Sequence, residues 1–292
     1  PMNSHNKRRR RKPPQNQIPV PADIMDYHFE EVGHRLEDRD FSPAPPVVLS
    51  GKKKPYKLQY GELTIYGTFG NDSLALRHHT KYFGFDPSGE VDITELILNG
   101  RTYFFTDTSV RRIKVSMLGG DNVVSVYGYK DYRLEDLTIY TGEGGSNRVF
   151  VTGSKLQNLE IHSDGASENH VSLWQTDCSG KAVVLTGRRL FSRPDGIWMS
   201  IPSRDSVSFI ESRFADLIVH TGTGNDKVSL NGTQAVHVDI SLGGGDDEID
   251  IRGSALGTGV VDGGAGNDLL VRMRSATWGT TFQGFESTEV ID

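Results

Sequence analysis

Beyond residue 55 the apolar positions of this chain fall into short alternating runs, and the runs recur. Seven segments share one pattern: a glycine-rich turn, an Asn or Asp, then alternating apolar residues. The anchors are Asp72, Asn122, Asn147, Asn169, Asp226, Asp247 and Asp268, spaced by 50, 25, 22, 57, 21 and 21 residues. Two residues past them lie Leu74, Val124, Val149, Val171, Val228, Ile249 and Leu270. Four past lie Leu76, Val126, Val151, Leu173, Leu230 and Ile251, and Arg272 breaks that column at its end. Ahead of the turns sit Leu63/Ile65, Ile113/Val115, Leu137/Ile139, Leu159/Ile161, Leu217/Val219 and Val238/Ile240. A period of two on both sides of a turn is strand periodicity.

A strand–turn–strand unit of 21–25 residues cannot bury its apolar face alone. Stacking such units in parallel makes one continuous core. The pattern therefore predicts an all-β chain: a right-handed parallel β-helix over residues 55–292. It would have about 9–10 coils if one coil is degenerate in the 50-residue gap and two in the 57-residue gap. A sandwich of hairpins would not keep these columns in register.

The first 54 residues differ in kind. Residues 1–21, with Lys7-Arg8-Arg9-Arg10-Arg11-Lys12 and a run of prolines, read as a disordered basic arm. Within residues 22–54, the stretch 22–40 offers Ile24, Tyr27, Val32 and Leu36 as the apolar face of a helix capping a sheet end, followed by a proline-rich linker. These 54 residues hold 11 basic and 7 acidic side chains, a net of +4; the rest hold 21 and 31, a net of −10. An acidic body does not suit nucleic acid and favours cations. No apolar stretch follows the basic run, so secretion or cell-surface display would proceed without a Sec-type signal peptide. The basic run also admits a nuclear-targeting role inside a host cell.

Glycine is 33 of 292 residues, which points to many tight turns. The one cysteine, Cys178, excludes an internal disulfide and a cysteine-based zinc site, and reads as an idle thiol. Apolar runs such as Leu96–Leu98 are far too short for a membrane span. Oligomeric state is not legible in this pattern.

The turns carry a further resemblance. Residues 263–271, GGAGNDLLV, fit the nonapeptide G-G-x-G-x-D-x-U-x throughout; 221–229 and 242–250 lack only the first glycine, and 67–75 only the second. These resemble the hemolysin-type calcium-binding (RTX) repeats, a short patch within the longer β-helix. The resemblance implies a secreted bacterial protein with calcium in the turns, held at Gly224, Asp226, Gly245, Asp246, Asp247, Gly266 and Asp268. In that family the nonapeptides run in tandem; here the motif recurs once per coil, so one edge of the coil is concerned. Stacking independently puts Asp226, Asp247 and Asp268 about 5 Å apart, where like charges repel and calcium is a natural partner. The alternative is that each Asp caps its own glycine turn. Asn122, Asn147 and Asn169 form a neutral column that can hydrogen-bond along the stack with no ion.

Two stretches depart from the repeat, residues 77–112 and 174–204, and both mix aromatics with cations. They could line a groove for an acidic polysaccharide, or simply pack on the side of the helix. Many right-handed β-helices are polysaccharide lyases or hydrolases. Asp177, Lys181, Arg189, Arg193 and Asp195 could in principle supply a base and a carboxylate-binding cation, but the Arg-x-Pro-x-x-Arg signature of pectin-active enzymes is missing. His78-His79 is no metal site by itself, because adjacent strand residues face opposite ways. The reading is therefore a non-catalytic exported or surface-acting β-helix that binds a ligand, polysaccharide or cell surface or acts as a scaffold. A lyase or hydrolase, and an effector delivered into host cells, are the alternatives.

Overall fold

The computed structural model describes residues 54–82, 90–106, 110–129, 133–142, 144–163, 168–187, 190–192, 198–200 and 202–291. The chain divides into two compact units, 1–44 and 45–292, and every described residue belongs to the second. The basic arm expected over 1–21 lies outside the described residues, as does the capping helix and linker over 22–54 apart from Lys54.

The described residues form an all-β parallel β-helix, a solenoid of two facing sheets. The first sheet runs Glu62–Tyr66, Arg112–Ser116, Arg133–Tyr140, Lys155–Ser163, Asp177–Thr186, Arg213–His220, Gln234–Ser241 and Ala255–Asp262. It ends on Ala276–Thr277 and Thr280–Gln283, which share a level. The second runs Ser73–Tyr82, Val123–Tyr127, Ser146–Thr152, Glu168–Trp174, Arg204–Ile210, Lys227–Asn231, Glu248–Arg252, Leu269–Met273 and Ser287–Ile291. Each sheet thus has nine parallel levels, seven of them with parallel neighbours on both sides. At about 4.8 Å per level the stack is on the order of 40 Å long.

The expected inward columns are the core. Leu74, Val124, Val149, Val171, Val228, Ile249 and Leu270 are buried, facing buried pairs such as Leu63/Ile65, Leu137/Ile139 and Leu217/Val219. One column runs Leu74–Val124–Val149–Val171–Val207–Val228–Ile249–Leu270 in strict register. Arg272 does end its column, and its guanidinium lies 5.4 Å from the Phe282 ring centroid.

The two long gaps are not degenerate coils. Leu74 pairs directly with Val124, so no level lies between Asp72 and Asn122. The extra residues instead extend the Ser73–Tyr82 strand into an antiparallel ribbon with Glu90–Leu98 and Arg101–Thr106. Asn99 and Gly100, at φ 48° and 75°, make its tight turn. The second gap holds one level, Arg204–Ile210, preceded by an insertion that contains the short hairpin Leu190–Ser192 with Trp198–Ser200. At the other end of the first sheet, Tyr56–Gln59 closes the edge by pairing antiparallel with Glu62–Tyr66.

Candidate functional site

Each coil turns twice, and each turn carries its own polar ladder. At the glycine-rich edge the anchor side chain points inward, and its Oδ1 accepts the backbone N–H of the anchor one coil earlier. Asn122 takes Asp72 N–H at 2.9 Å, and Asn147 takes Asn122 N–H at 3.2 Å. Asp205 takes Asn169 N–H at 3.0 Å and Asp226 takes Asp205 N–H at 2.8 Å. Asp247 and Asp268 take the next two at 2.7 and 2.9 Å. Glu286 closes the run, its Oε2 accepting Asp268 N–H at 2.8 Å. The far edge repeats a different device. A residue with positive φ is followed by Ser or Thr, and Ser212, Ser254 and Ser275 hydroxyls accept the N–H of Thr176, Thr233 and Ser254 at 3.0–3.2 Å.

Glycine is required at the first edge by crowding. Gly245 has φ 132°, and a Cβ there would collide with the Gly224 carbonyl of the coil before; Gly224 and Gly266 are in the same position against Ser203 and Gly245. Asp246 lies one residue outward and is exposed. It belongs to a separate ladder in which its N–H reaches Asn225 Oδ1 at 3.1 Å and its Oδ1 accepts from Asn267 at 3.0 Å.

Sequence reasoning missed two members of the inner ladder. Asp205 follows Pro202-Ser203-Arg204 rather than a glycine turn, although its 21-residue spacing to Asp226 and the apolar Val207 and Phe209 were available signals. Glu286 replaces the short acid by a longer one at the last level.

The ladder changes character along its length. At the first level Asp72 has donors on both oxygens: Asn99 Nδ2 at 2.7 Å on Oδ1 and Thr68 N–H at 2.6 Å on Oδ2. Asn122 uses its Nδ2 to donate to the carbonyls of Gly119, Gly120 and Thr141, at 3.0, 3.2 and 2.8 Å. Asp205 Oδ2 accepts from Ser203 Oγ at 3.0 Å. Asp226, Asp247 and Asp268 differ, because each buries an Oδ2 with no hydrogen-bond partner. Their side chains are 2, 2 and 0% exposed. Burial pushes Asp226 up to about 7, with the charges of Asp205 and Asp247 adding to it, and pushes Asp247 up to about 6, aided by Asp268 and Asp246. Asp268 and Asp205 are raised as well, again mainly by burial.

The seven residues expected to hold calcium are all in the turns at one edge, where most of their groups also take part in contacts between coils. Calcium takes six to eight oxygens, about 2.4 Å away. Here one oxygen of each inner Asp holds the neighbouring coil, Asp246 is bound outward, and the three glycines serve backbone approach. The carbonyls of Gly222, Gly243, Gly244 and Ala265 already accept N–H groups from adjacent coils. Asp226, Asp247 and Asp268 also keep their Oδ2 without a hydrogen-bond partner.

Of the expected catalytic set, Asp177 and Lys181 fall among the described residues. Asp177 and Lys181 lie on one strand of the first sheet, separated by a register shift; Asp177 sits between Lys155 and Arg213, and Lys181 pairs with Asp216. Arg189, Arg193 and Asp195 lie outside the described residues. An open cleft of about 550 Å³ lies beside the insertion, lined by Ser146, Glu168, Pro202, Ser203, Arg204, Gly224 and Asn225. It contains neither Asp177 nor Lys181. Cys178 is buried, its thiol donating to the Gln157 carbonyl at 3.1 Å. Two aromatics of the first departure, Tyr103 and Phe105, stand edge-on to Tyr56 at 4.9 and 5.0 Å, while Phe104 is exposed.

The outer face of the first sheet presents an ordered polar surface. Tyr140 and His162, on adjacent levels, stack at 4.6 Å, with Lys114 Nζ 5.5 Å from the Tyr140 centroid. His162 Nε2 is 2.6 Å from Glu160; two levels on, His220 Nε2 is 4.0 Å from Asp239 of the adjacent strand. No helix among the described residues is long and apolar enough to cross a membrane.

Fold and ladders together define the class, a two-sheet parallel β-solenoid with an Asx ladder at one edge and a hydroxyl ladder at the other. Comparison with protein-family models, with curated proteins and with solved structures returns no match for this chain.

Proposed function

We propose that this protein is a non-catalytic β-solenoid, exported or surface-acting, that uses the outer face of its first sheet to bind an acidic polysaccharide or a similarly repeating surface. The observation that carries the reading is the outward column Tyr140, His162 and His220, with Leu185 between the two histidines and Lys114 one level before and two residues off that column. They sit at intervals set by the strand spacing, so a polymer could meet several weak contacts at once. Lys114 and the two histidines offer donors to carboxylate or sulfate groups, and Tyr140 an apolar ring edge. Export is supported by the likeness of the turns to secreted RTX repeats alone. The enzyme alternative draws on the cleft at Glu168 and Arg204, where an acid and a cation share one opening.

The test is retention on immobilised acidic polysaccharides, with product analysis of the same mixtures. K114A/Y140A is expected to weaken retention at least tenfold without changing the melting temperature by more than a few degrees. Unsaturated or newly reducing ends, lost in E168Q or R204A, would replace this reading by the enzyme.

A further inference from the structure

The outer ladder is carried by the residue just before each anchor: Asn71, Asp121, Ser146, Glu168, Arg204, Asn225, Asp246 and Asn267. In it the backbone N–H of one level donates to the side-chain oxygen of the level before. Asp121 N–H reaches Asn71 Oδ1 and Ser146 N–H reaches Asp121 Oδ1, both at 2.8 Å. The run resumes at Asn225, whose Oδ1 takes Asp246 N–H at 3.1 Å. The last step is the fullest. Asn267 gives Asp246 Oδ1 both its N–H, at 3.0 Å, and an Nδ2 hydrogen, at 3.2 Å. Asn225 is the same residue two levels earlier, but the position before it is Arg204, which has donors and no acceptor. Among the described residues nothing accepts the N–H or the Nδ2 hydrogens of Asn225, and no carboxylate pairs with the Arg204 guanidinium. The break in the ladder coincides with the open cleft of about 550 Å³, whose lining includes Ser146, Glu168, Arg204 and Asn225, the four successive positions across it. Small ligands are held in clefts of about 300–1,000 Å³.

We propose that this cleft binds a ligand carboxylate, which takes the hydrogens of Asn225 as Asp246 takes those of Asn267 and pairs with the Arg204 guanidinium. Gly224 packs on the Ser203 carbonyl, which sets Asn225 over Arg204, so both lie at one opening. A guanidinium fork and a carboxylate are both planar and meet through two parallel N–H···O bonds, among the stronger polar contacts. Charge selects the class of anion. The lining carries one cation, Arg204, and one acid, Glu168, paired in register on adjacent levels. A single negative charge is matched by Arg204, whereas the second charge of a phosphate would be repelled by Glu168. Glu168 in turn accepts hydrogens from groups beside the carboxylate, the hydroxyls of a sugar acid or the ammonium of an amino acid. The inference is independent of the binding face on the first sheet, because the cleft contains none of Lys114, Tyr140, His162 or His220.

The test is a nuclear magnetic resonance titration of the full chain that follows the backbone and side-chain amide signals of Asn225. D-galacturonate and glycine are the probes; methyl galactoside, which has no carboxylate, and inorganic phosphate are the controls. Both carboxylates are expected to shift the Asn225 signals saturably, phosphate more weakly and methyl galactoside not at all. Tighter binding of galacturonate assigns the neighbouring donors to a sugar acid, and tighter binding of glycine to an amino acid. R204A should weaken carboxylate binding about tenfold or more. R204D should abolish it and slow hydrogen exchange of the Asn225 N–H, because the new carboxylate fills the break in the ladder. Arg204 is exposed, so both variants should melt close to wild type; if R204D does not fold, R204A carries the test. K114A/Y140A should leave the titration unchanged, which separates this site from the face of the first sheet. The proposal is overturned if neither carboxylate shifts Asn225 saturably, if R204A or R204D binds as wild type does, or if phosphate or methyl galactoside binds as tightly as the carboxylates.

Discussion

Asn122 shows what one inward side chain does in this fold. Asn122 is fully buried; its Oδ1 takes the N–H of Asp72, and its Nδ2 serves three carbonyls. N122D keeps the shape and the acceptor but removes the donors. Unprotonated, it would place a charge beside those carbonyls and one coil from Asp72, at a cost of about 2–4 kcal/mol near pH 8. The folded pKa of the new acid would be raised, so the loss should shrink as pH falls toward about 5. Urea denaturation of wild type and N122D at both pH values measures this. An equal loss at both would mean that the donors matter less than the shape.

Turns and strands are the elements, and the turns set the tolerance. Gly245 combines φ 132° with a backbone neighbour in the preceding coil, whereas Gly144 has φ 93° and open space around its Cβ position. Backbone strain of this kind costs about 1–3 kcal/mol, and G245A must add the displacement of a whole turn. G245A should therefore melt well below G144A, and equal melting temperatures would show that the coils are not packed turn on turn. The same contrast explains what was legible in the sequence. Strands were readable because Val149 or Leu217 sits inward at every coil with a period of two. The anchor was readable where crowding forces glycine before it. Asp205 escaped because its turn is built from Pro202-Ser203-Arg204 after an insertion, and no glycine marks it. The antiparallel ribbon escaped although Asn99-Gly100, a strong two-residue hairpin signal, lies between its strands. The hydroxyl ladder of Ser212, Ser254 and Ser275 escaped because a lone Ser or Thr after a turn is common and gains meaning only by stacking. Which oxygen of Asp226 lacks a partner depends on side-chain geometry that no residue pattern encodes.

At the scale of the molecule, the solenoid is a one-dimensional stack in which each coil touches the coils before and after it. Besides the strand pairing and the hydroxyl ladder, the apolar columns and the inner ladder bind the levels into one body, the ladder tying turn N–H groups to side chains of the next coil. The central claim is that this ladder runs along the stack from Asp72 to Asp268, with Asn147 Nδ2 reaching Asn169 Oδ1 at 3.5 Å, and that its anchors are closed to water. Native-state hydrogen exchange of the anchor amides tests it most directly. The N–H groups of Asp72, Asn122, Asn169, Asp205, Asp226 and Asp247 point at side chains rather than at strand carbonyls, yet each is predicted to exchange as slowly as the core strand amides of Val149 and Val171. Exchange of these turn amides orders of magnitude faster than the strands, at rates expected of solvated turns, would contradict the account.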